Sequence, residues 1–248
     1  MPVNQDNSHF ERIEKKFRMT PEQYRELLPV LESRLEKDAY GETLIHTVFY
    51  DTPDLYLIRR SVERPHFKEK LRLRSYGTPT EESQVYVEIK RKLNGIGYKR
   101  RTSMTFADAK RLLRGEKTDT GQEQIGQEIL EFVRRYRLVP AVCLTYRRYA
   151  MYGREDPDFR ITIDRDLRYR TERPEATDGE DMLPVMPEPD SWILMEIKTL
   201  NAIPPWLNEA MSRLKIHQAP FSKIGTCYTL HLAGNLKTCE KRKDEESC

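Results

Sequence analysis

No stretch of the chain approaches the ~20 consecutive apolar residues that cross a bilayer as a helix. The N-terminal segment MPVNQDNSHFERIEKK has no apolar run of the kind a secretion signal needs. Cysteine is scarce: four residues, at positions 143, 227, 239 and 248, too irregular for a disulfide framework. No pair has the C-x-x-C spacing of a structural zinc site. Reduced, inert thiols in a cytoplasmic protein are therefore expected. The 11 glycines form neither G-x-G-x-x-G nor G-x-x-x-x-G-K-[ST], so the loops whose backbone N–H groups cradle phosphates are missing. The five histidines have no H-x-x-x-H spacing and read as surface or packing residues. An excess of one charge is lacking too. Lys and Arg number 43 against 40 Asp and Glu, a net charge of +3 that disfavours an open basic platform for nucleic acid. If this chain handles phosphates, side chains must do it.

What the sequence does have is charge in quantity. Charged residues make up 33% of its 248 residues and hydrophobic residues 38%, above the usual quarter for charge. The length suffices for a large domain with a real core. Residues 1–8 read as a loose leader, 9–236 as the folded domain and 237–248 as a disordered polar tail. Residues 171–190, rich in proline and acids, read as a long exposed loop. Thr20-Pro21-Glu22-Gln23 predicts a capped helix start, with Pro29 expected to kink or break that helix. Further helices are expected over about 106–113, over 122–137 and after Pro204-Pro205.

The strands carry the functional signal. Segments 10–19, 66–76, 84–92, 158–164 and 193–199 alternate strictly between apolar and charged residues. Segments 96–104 and 141–151 add to the set. One such strand means a sheet with one wet face. Taken together, though, the charged faces hold Arg12, Lys16, Lys70, Arg72, Arg74, Lys90, Lys99, Arg101, Arg148, Arg160 and Lys198. Few acids oppose them, mainly Glu14, Glu88, Asp164 and Glu196. Like charges across strands repel, so such a surface is costly unless it meets an anion. Arginine at its centre suits bidentate contact with phosphate oxygens. The pattern predicts an α+β fold: an antiparallel β barrel with a cationic interior and helices packed outside. The few acids on those faces could hold a hard divalent cation.

These residues resemble a known family. Arg12-Ile13-Glu14-Lys15-Lys16 is similar to the first-strand E-x-E-x-K signature of the triphosphate tunnel (CYTH-like) superfamily, with Arg in the first acidic place. More closely, the chain resembles the VTC domain, the polyphosphate polymerase module, in its free-standing bacterial form. The resemblance rests on motifs in order over about residues 9–230: Glu14-Lys15-Lys16-Phe17, Phe49-Tyr50-Asp51-Thr52, Lys70 to Tyr76, Val87-Glu88-Ile89-Lys90, Tyr98 to Arg101, Tyr146-Arg147-Arg148, Phe159 to Asp164, Met195-Glu196-Ile197-Lys198 and Phe221-Ser222-Lys223.

The resemblance implies a triphosphate tunnel fold and an ATP-dependent polymerase that extends inorganic polyphosphate. Arg72, Arg74, Arg148 and Arg160 are the implied catalytic cations. Lys16, Lys90, Lys99, Lys198, Ser222 and Lys223 are the implied phosphate contacts, and Glu196 the ligand of a manganese or magnesium ion. ATP and polyphosphate are the implied partners, with no nucleic acid and with a separate membrane partner for export at the inner face of the membrane. Pro220 stands where the family often has another lysine. Two other readings compete: a tunnel triphosphatase or cyclase, and a polyphosphate-binding module without catalysis. Arg12 in place of an acid argues mildly against hydrolysis. Glu88 reads as an ion-pair partner rather than a second metal ligand, and Asp51 as a structural turn residue.

Overall fold

The computed structural model describes residues 13–63, 65–94, 96–188 and 193–234. The expected leader and tail, and with them Arg12, Trp192, Cys239 and Cys248, lie outside these. The elements are β1 (Ile13–Met19), α1 (Pro21–Arg34), β2 (Leu35–Asp51), α2 (Tyr56–Val62), β3 (Phe67–Tyr76), β4 (Gln84–Leu93), β5 (Ile96–Thr105), α3 (Phe106–Leu113), α4 (Glu123–Tyr136), β6 (Val139–Gly153), β7 (Arg160–Arg170), β8 (Leu183–Pro184), β9 (Ile193–Thr199), α5 (Pro205–Arg213) and α6 (Lys223–Cys227). The hydrogen-bonded order is β1-β9-β7-β6-β2-β3-β4-β5, with β8 beside β7. The recorded registers are antiparallel. The fold is thus α+β, as the alternation implied. Among the described residues the pairings form a path with β1 and β5 at its ends.

The chain forms two compact units, and each has its own core. Among the described residues, the first comprises 13–42, 149–164 and 193–220. Within it, Phe17 and Met19 of β1, Ile161 and Ile163 of β7, and Met195 and Ile197 of β9 share one apolar face. Helices α1 and α5 cover that face through Leu27, Leu31, Leu207, Ala210 and Met211. Helix α1 begins as the capping box predicts. Thr20 Oγ1 accepts from the Gln23 N–H at 3.2 Å, and Gln23 Oε1 accepts from the Thr20 N–H at 2.8 Å. Pro29 does not break the helix, which continues to Arg34. Its ring sits on the exposed side, where water can satisfy the carbonyl left without an N–H partner.

Among the described residues, the second unit comprises 43–63, 65–94, 96–148, 165–188 and 221–234. Leu71 and Leu73 of β3 and Val85, Val87 and Ile89 of β4 pack against Phe106, Ala109 and Leu112 of α3 and Ile129 and Phe132 of α4. Lys68, Lys70, Arg72 and Arg74 of β3 and Glu88, Lys90 and Lys92 of β4 alternate with these and so point away from the helices, whereas Glu69 and Arg91 lie on the helix side and meet Tyr136 and Glu128 of α4. The β4–β5 turn leaves two residues between paired Leu93 and Ile96. The first of them, Asn94, sits at φ +49°, the left-handed conformation such tight hairpins require.

Three elements are not evident from the sequence pattern. Strand β2 runs for 17 residues, whereas the motif Phe49-Tyr50-Asp51 marks only its end. Helix α2 is capped by Asp51, whose buried carboxylate accepts from the N–H groups of Thr52 (2.7 Å), Leu57 (2.8 Å) and Ile58 (2.8 Å). The expected structural role of Asp51 is therefore observed. Helix α6 is capped by Ser222. The segment after β7 is an exposed loop for much of its length, but it is tethered. Arg170, itself buried, donates to Asp178 Oδ1 (2.8 Å) and to the carbonyls of Glu180 (2.7 Å) and Ala176.

Candidate functional site

In the second unit, strand register arranges the charged face in rows. Lys70 lies opposite Lys90, and Lys90 opposite Lys99. The next row is Arg72, Glu88 and Arg101. Beyond it come Thr47, Arg74, Tyr86 and Ser103. At the other end Lys68 faces Lys92. Across β3, β4 and β5 this face carries eight cations and one acid, Glu88. Directly opposed like charges destabilise a sheet, so these rows call for an anion.

Glu88 is the internal counter-charge. Only 1% of its side chain is exposed, and it receives Arg72 Nε at 2.6 Å and Lys99 Nζ at 2.6 Å. Burial works to raise its carboxyl pKa, but the charges of Arg72, Arg74 and Lys99 outweigh burial and hold it at about 2. The cations show the reciprocal strain. Desolvation and then the neighbouring Arg74 lower Arg72 despite Glu88. Desolvation likewise lowers Lys99 against the pull of Glu88. One carboxylate does not neutralise the cluster, and a bound polyanion would relieve it. Glu88 is an ion-pair partner, as expected from sequence.

Tyr146 of β6 ties three further residues together. Its hydroxyl accepts from Arg74 Nη2 at 3.1 Å. Arg148 lies 5.3 Å from its ring centroid, and Lys223 Nζ 4.7 Å. The ring thus orients two cations by cation–π attraction and a third by hydrogen bonding. In the sequence Tyr146 stands within a motif, with no task evident for it. Its place two residues before Arg148 on one strand face was the available signal. Ser222 Oγ accepts from the Gly225 N–H at 3.2 Å. That bond uses a lone pair and leaves the hydroxyl proton able to serve an anion. Of the sequence-predicted set, Arg72, Arg74, Lys90, Lys99, Arg148, Ser222 and Lys223 all belong to this unit.

The first unit holds Lys16, Arg160, Glu196 and Lys198. Lys16 pairs with Glu196, and Glu196 with Thr162; Glu14 pairs with Lys198, and Lys198 with Arg160. Lys16 Nζ lies 3.3 Å from Glu14 and 3.7 Å from Glu196. Lys198 Nζ lies 3.7 Å from the other oxygen of Glu196. Signs alternate here, unlike the lysine row of the second unit. Thr162 Oγ1 is buried with no hydrogen-bond partner, in the row of Glu196. No group of three or more His, Cys, Asp or Glu side chains forms a ready metal cage among the described residues. The donor set nevertheless fits a hard cation of the magnesium type, which takes one or two carboxylates and completes its shell with water and phosphate oxygens. The orphaned threonine hydroxyl is a polar group such a shell would satisfy.

The remaining polar residues have structural partners. Cys143 and Cys227 are buried free thiols, each pushed up to about 12 by burial, so neither is a nucleophile at neutral pH. His46 packs against Cys143 at 3.3 Å, and burial, then the charge of Arg170, lower it to about 4. His231 stacks on Tyr169.

Antiparallel strands that present ordered cations on one face and helix-covered apolar residues on the other make an α+β protein with a face suited to phosphate. The VTC domain model matches residues 11–231, and the chain belongs to that family. Among solved structures, a suggested adenylate cyclase of Bacillus halodurans aligns over 85% of this chain and 93% of its own, with 14% identity and a TM-score of 0.50. A suggested adenylate cyclase of Vibrio parahaemolyticus aligns over 85% and 94%, with 13% identity and a TM-score of 0.44. The first likeness extends to the fold alone. No curated protein matches the chain. No helix among the described residues is long and apolar enough to cross a membrane.

Proposed function

We propose that this protein is an ATP-dependent polyphosphate polymerase, passing the γ-phosphoryl group of ATP to the end of a growing polyphosphate chain. The observation that carries the reading, beside family membership, is the face of β3, β4 and β5 with one ion-paired acid among eight cations. Phosphoryl transfer asks for positioning and charge stabilisation more than for a covalent nucleophile. Arg72, Arg74 and Arg148 offer guanidinium groups that match phosphate oxygens bidentately. Lys90, Lys99, Lys223 and Ser222 hold the flanking phosphates. The attacking chain end is already anionic at neutral pH, so a strong general base is not required.

The first unit's Lys16, Arg160, Lys198 and Glu196 enter on the family resemblance. Glu196, with Glu14 and the Thr162 hydroxyl nearby in register, would hold manganese or magnesium, which neutralises phosphate charge when bound. The protein works in the cytoplasm in this reading, and export of the polymer falls to a separate membrane partner.

The alternative, a tunnel hydrolase or cyclase, draws on the suggested activity of the Bacillus halodurans protein. It needs an activated water or hydroxyl. The carboxylate paired with Arg72, Glu88, is held ionised by Arg72, Arg74 and Lys99 and is a poor base. The test is incubation with ATP and manganese, with and without a short primer, beside an Arg72→Ala/Arg74→Ala control. Polymer is resolved by length, and ADP and free phosphate are quantified. A polymer ladder matched by ADP, with rates down roughly 10²–10³-fold in the control, is expected. Free phosphate as the main product would replace the polymerase by the hydrolase.

A further inference from the structure

Four of the large apolar side chains that stand exposed gather at one end of the second unit's strands. Phe67 begins β3, Leu93 ends β4 and Ile96 begins β5. Register sets the three side by side, Phe67 opposite Leu93 and Leu93 opposite Ile96. They are 45%, 46% and 48% exposed, and Tyr98, two residues along the same face of β5, is 43% exposed. By alternation they continue the apolar face of Leu71 and Ile89 past the end of the buried core. Exposed apolar residues scattered singly need no explanation, but a contiguous row marks a contact surface. Cations stand directly behind it. One residue back, on the opposite face, Lys68 faces Lys92; two residues back, Arg91 faces Tyr98. Lys92 is exposed, and Lys68 and Arg91 are half-buried. Arg91 is paired with Glu69 and Glu128, and Lys68 Nζ donates to the Ser61 carbonyl at 3.4 Å. At about 3.4 Å of rise per residue, this basic level lies roughly 3–7 Å behind the apolar row. Glu69, the acid of these strands at this end, is buried, so the charge turned outward is positive. The turn backbone is satisfied where it meets the row, since the Asn94 N–H donates to the His66 carbonyl at 2.8 Å.

We propose that this end of the strands is a membrane-docking tip. It seats on an anionic lipid surface, with Phe67, Leu93 and Ile96 at the boundary between headgroups and acyl chains and with Lys92 and Lys68 among the lipid phosphates. The polymerase reading is not needed for it. An apolar row with a basic level just behind it is complementary to a bilayer surface, which is apolar inside and negatively charged at its headgroups. Tyr98 stands at the level where an amphipathic ring keeps its body in the apolar layer and its hydroxyl in water. A folded protein partner fits less well. A stable protein interface takes roughly 20–30 residues a side, and four half-exposed side chains at a strand end fall far short of that. A symmetric pair of copies would set this end against itself and oppose its lysines. A lipid surface asks for neither a large area nor a matching shape. Two weak signals acting together, one apolar and one basic, make the attachment reversible.

The test is co-sedimentation of the full chain with vesicles of phosphatidylcholine alone and of phosphatidylcholine mixed equally with phosphatidylglycerol. Wild type is compared with Leu93→Gln/Ile96→Gln and with Lys92→Gln. Wild type is expected to bind the anionic vesicles and not the neutral ones, and to leave them as salt rises. The Leu93→Gln/Ile96→Gln protein should bind at least about tenfold more weakly, and Lys92→Gln about fivefold more weakly. Ile96→Trp should bind at least as well as wild type, and its added fluorescence should shift to the blue on anionic vesicles, which a merely structural role would not produce. Without lipid, Leu93→Gln/Ile96→Gln should keep the wild-type Tm and tripolyphosphate affinity, because both residues are exposed and lie off the cationic face. Saturating tripolyphosphate should leave wild type on the vesicles. A wild type that ignores anionic vesicles, or a Leu93→Gln/Ile96→Gln protein that binds them equally well, would overturn the docking tip. Displacement by tripolyphosphate would overturn it too, because lipid phosphates would then be filling the cationic face. A lipid-free wild-type dimer in sedimentation velocity that Leu93→Gln/Ile96→Gln abolishes would give the row to a second copy instead. Each of these results leaves the polymerase reading standing.

Discussion

Replacing Glu88 by Gln tests the electrostatic account most directly. The carboxyl falls from an ordinary value near 4.5 to about 2 in the folded protein. Roughly 2.5 pH units at about 1.4 kcal/mol each amount to about 3 kcal/mol. The sign follows from the direction. For an acid whose folded value is depressed, this stabilisation is complete above the unfolded value. It is lost as pH falls from about 4.5 through about 2. At pH 7, Glu88→Gln should therefore destabilise the protein by about 3 kcal/mol, or some 6–12 °C in Tm for a chain of this size. The gap should close as both proteins are acidified toward pH 2. Tripolyphosphate should restore more Tm to the variant than it adds to wild type, because it supplies the negative charge that Arg72 and Lys99 have lost. Thermal melts followed by circular dichroism from pH 7 to pH 2, with and without the ligand, decide it. A loss below about 1 kcal/mol at pH 7, or a gap that persists in acid, would refute the reasoning.

Three further outcomes are expected. Asp51→Ala strands the N–H groups of Leu57 and Ile58 at the start of α2 and that of Thr52 before it and should cost about 3 kcal/mol in urea unfolding. Thr20→Ala opens the capping box of α1 and should cost about 1 kcal/mol by the same measurement. Tyr146→Leu removes the ring beneath Arg148 and Lys223 and the acceptor for Arg74; tripolyphosphate affinity should drop roughly tenfold, with Tyr146→Phe falling between Leu and wild type.

Much of this architecture was legible because several strands alternate between apolar and charged residues. In β3 and over Val85–Ile89 of β4 every second residue is apolar or buried, and period two separates the core face from the cationic one. Helix α3 was legible to the residue, since Thr105 caps it through the Asp108 N–H at 3.1 Å. The first half of β2, LEKDAYGE, was not, because it holds no apolar alternation and its residues are mostly exposed. Helices α2 and α6 are too short to show a period, and their caps, Asp51 and Ser222, resemble ordinary turn residues.

The site divides along the same line. Cations on one strand could be read from spacing. Which cation faces which could not, because that depends on register. The row Lys70, Lys90, Lys99 exists because the β4–β5 turn leaves two residues between Leu93 and Ile96; a one-residue slip would carry Lys99 of β5 to the other face. The hub at Tyr146 was hidden for a related reason. Its partners come from β3 and α6, distant in sequence.

The pairing of β1 with β9 joins Ile13 to Thr199 and Met19 to Ile193, and Leu207, Ala210 and Met211 complete the core around them. On a ribosome, β1 emerges before its partner strand, which appears only after a further ~175 residues. At typical synthesis speeds of about 5–20 residues per second, β1 waits roughly ten to forty seconds with its ladder unmade. The intervening chain includes nearly all of the second core, which can condense in the meantime. Nascent chains stalled before Ile193 should therefore protect the second core from protease while β1 is still cut. This ordering gives chaperones that bind exposed strands a defined window on this protein.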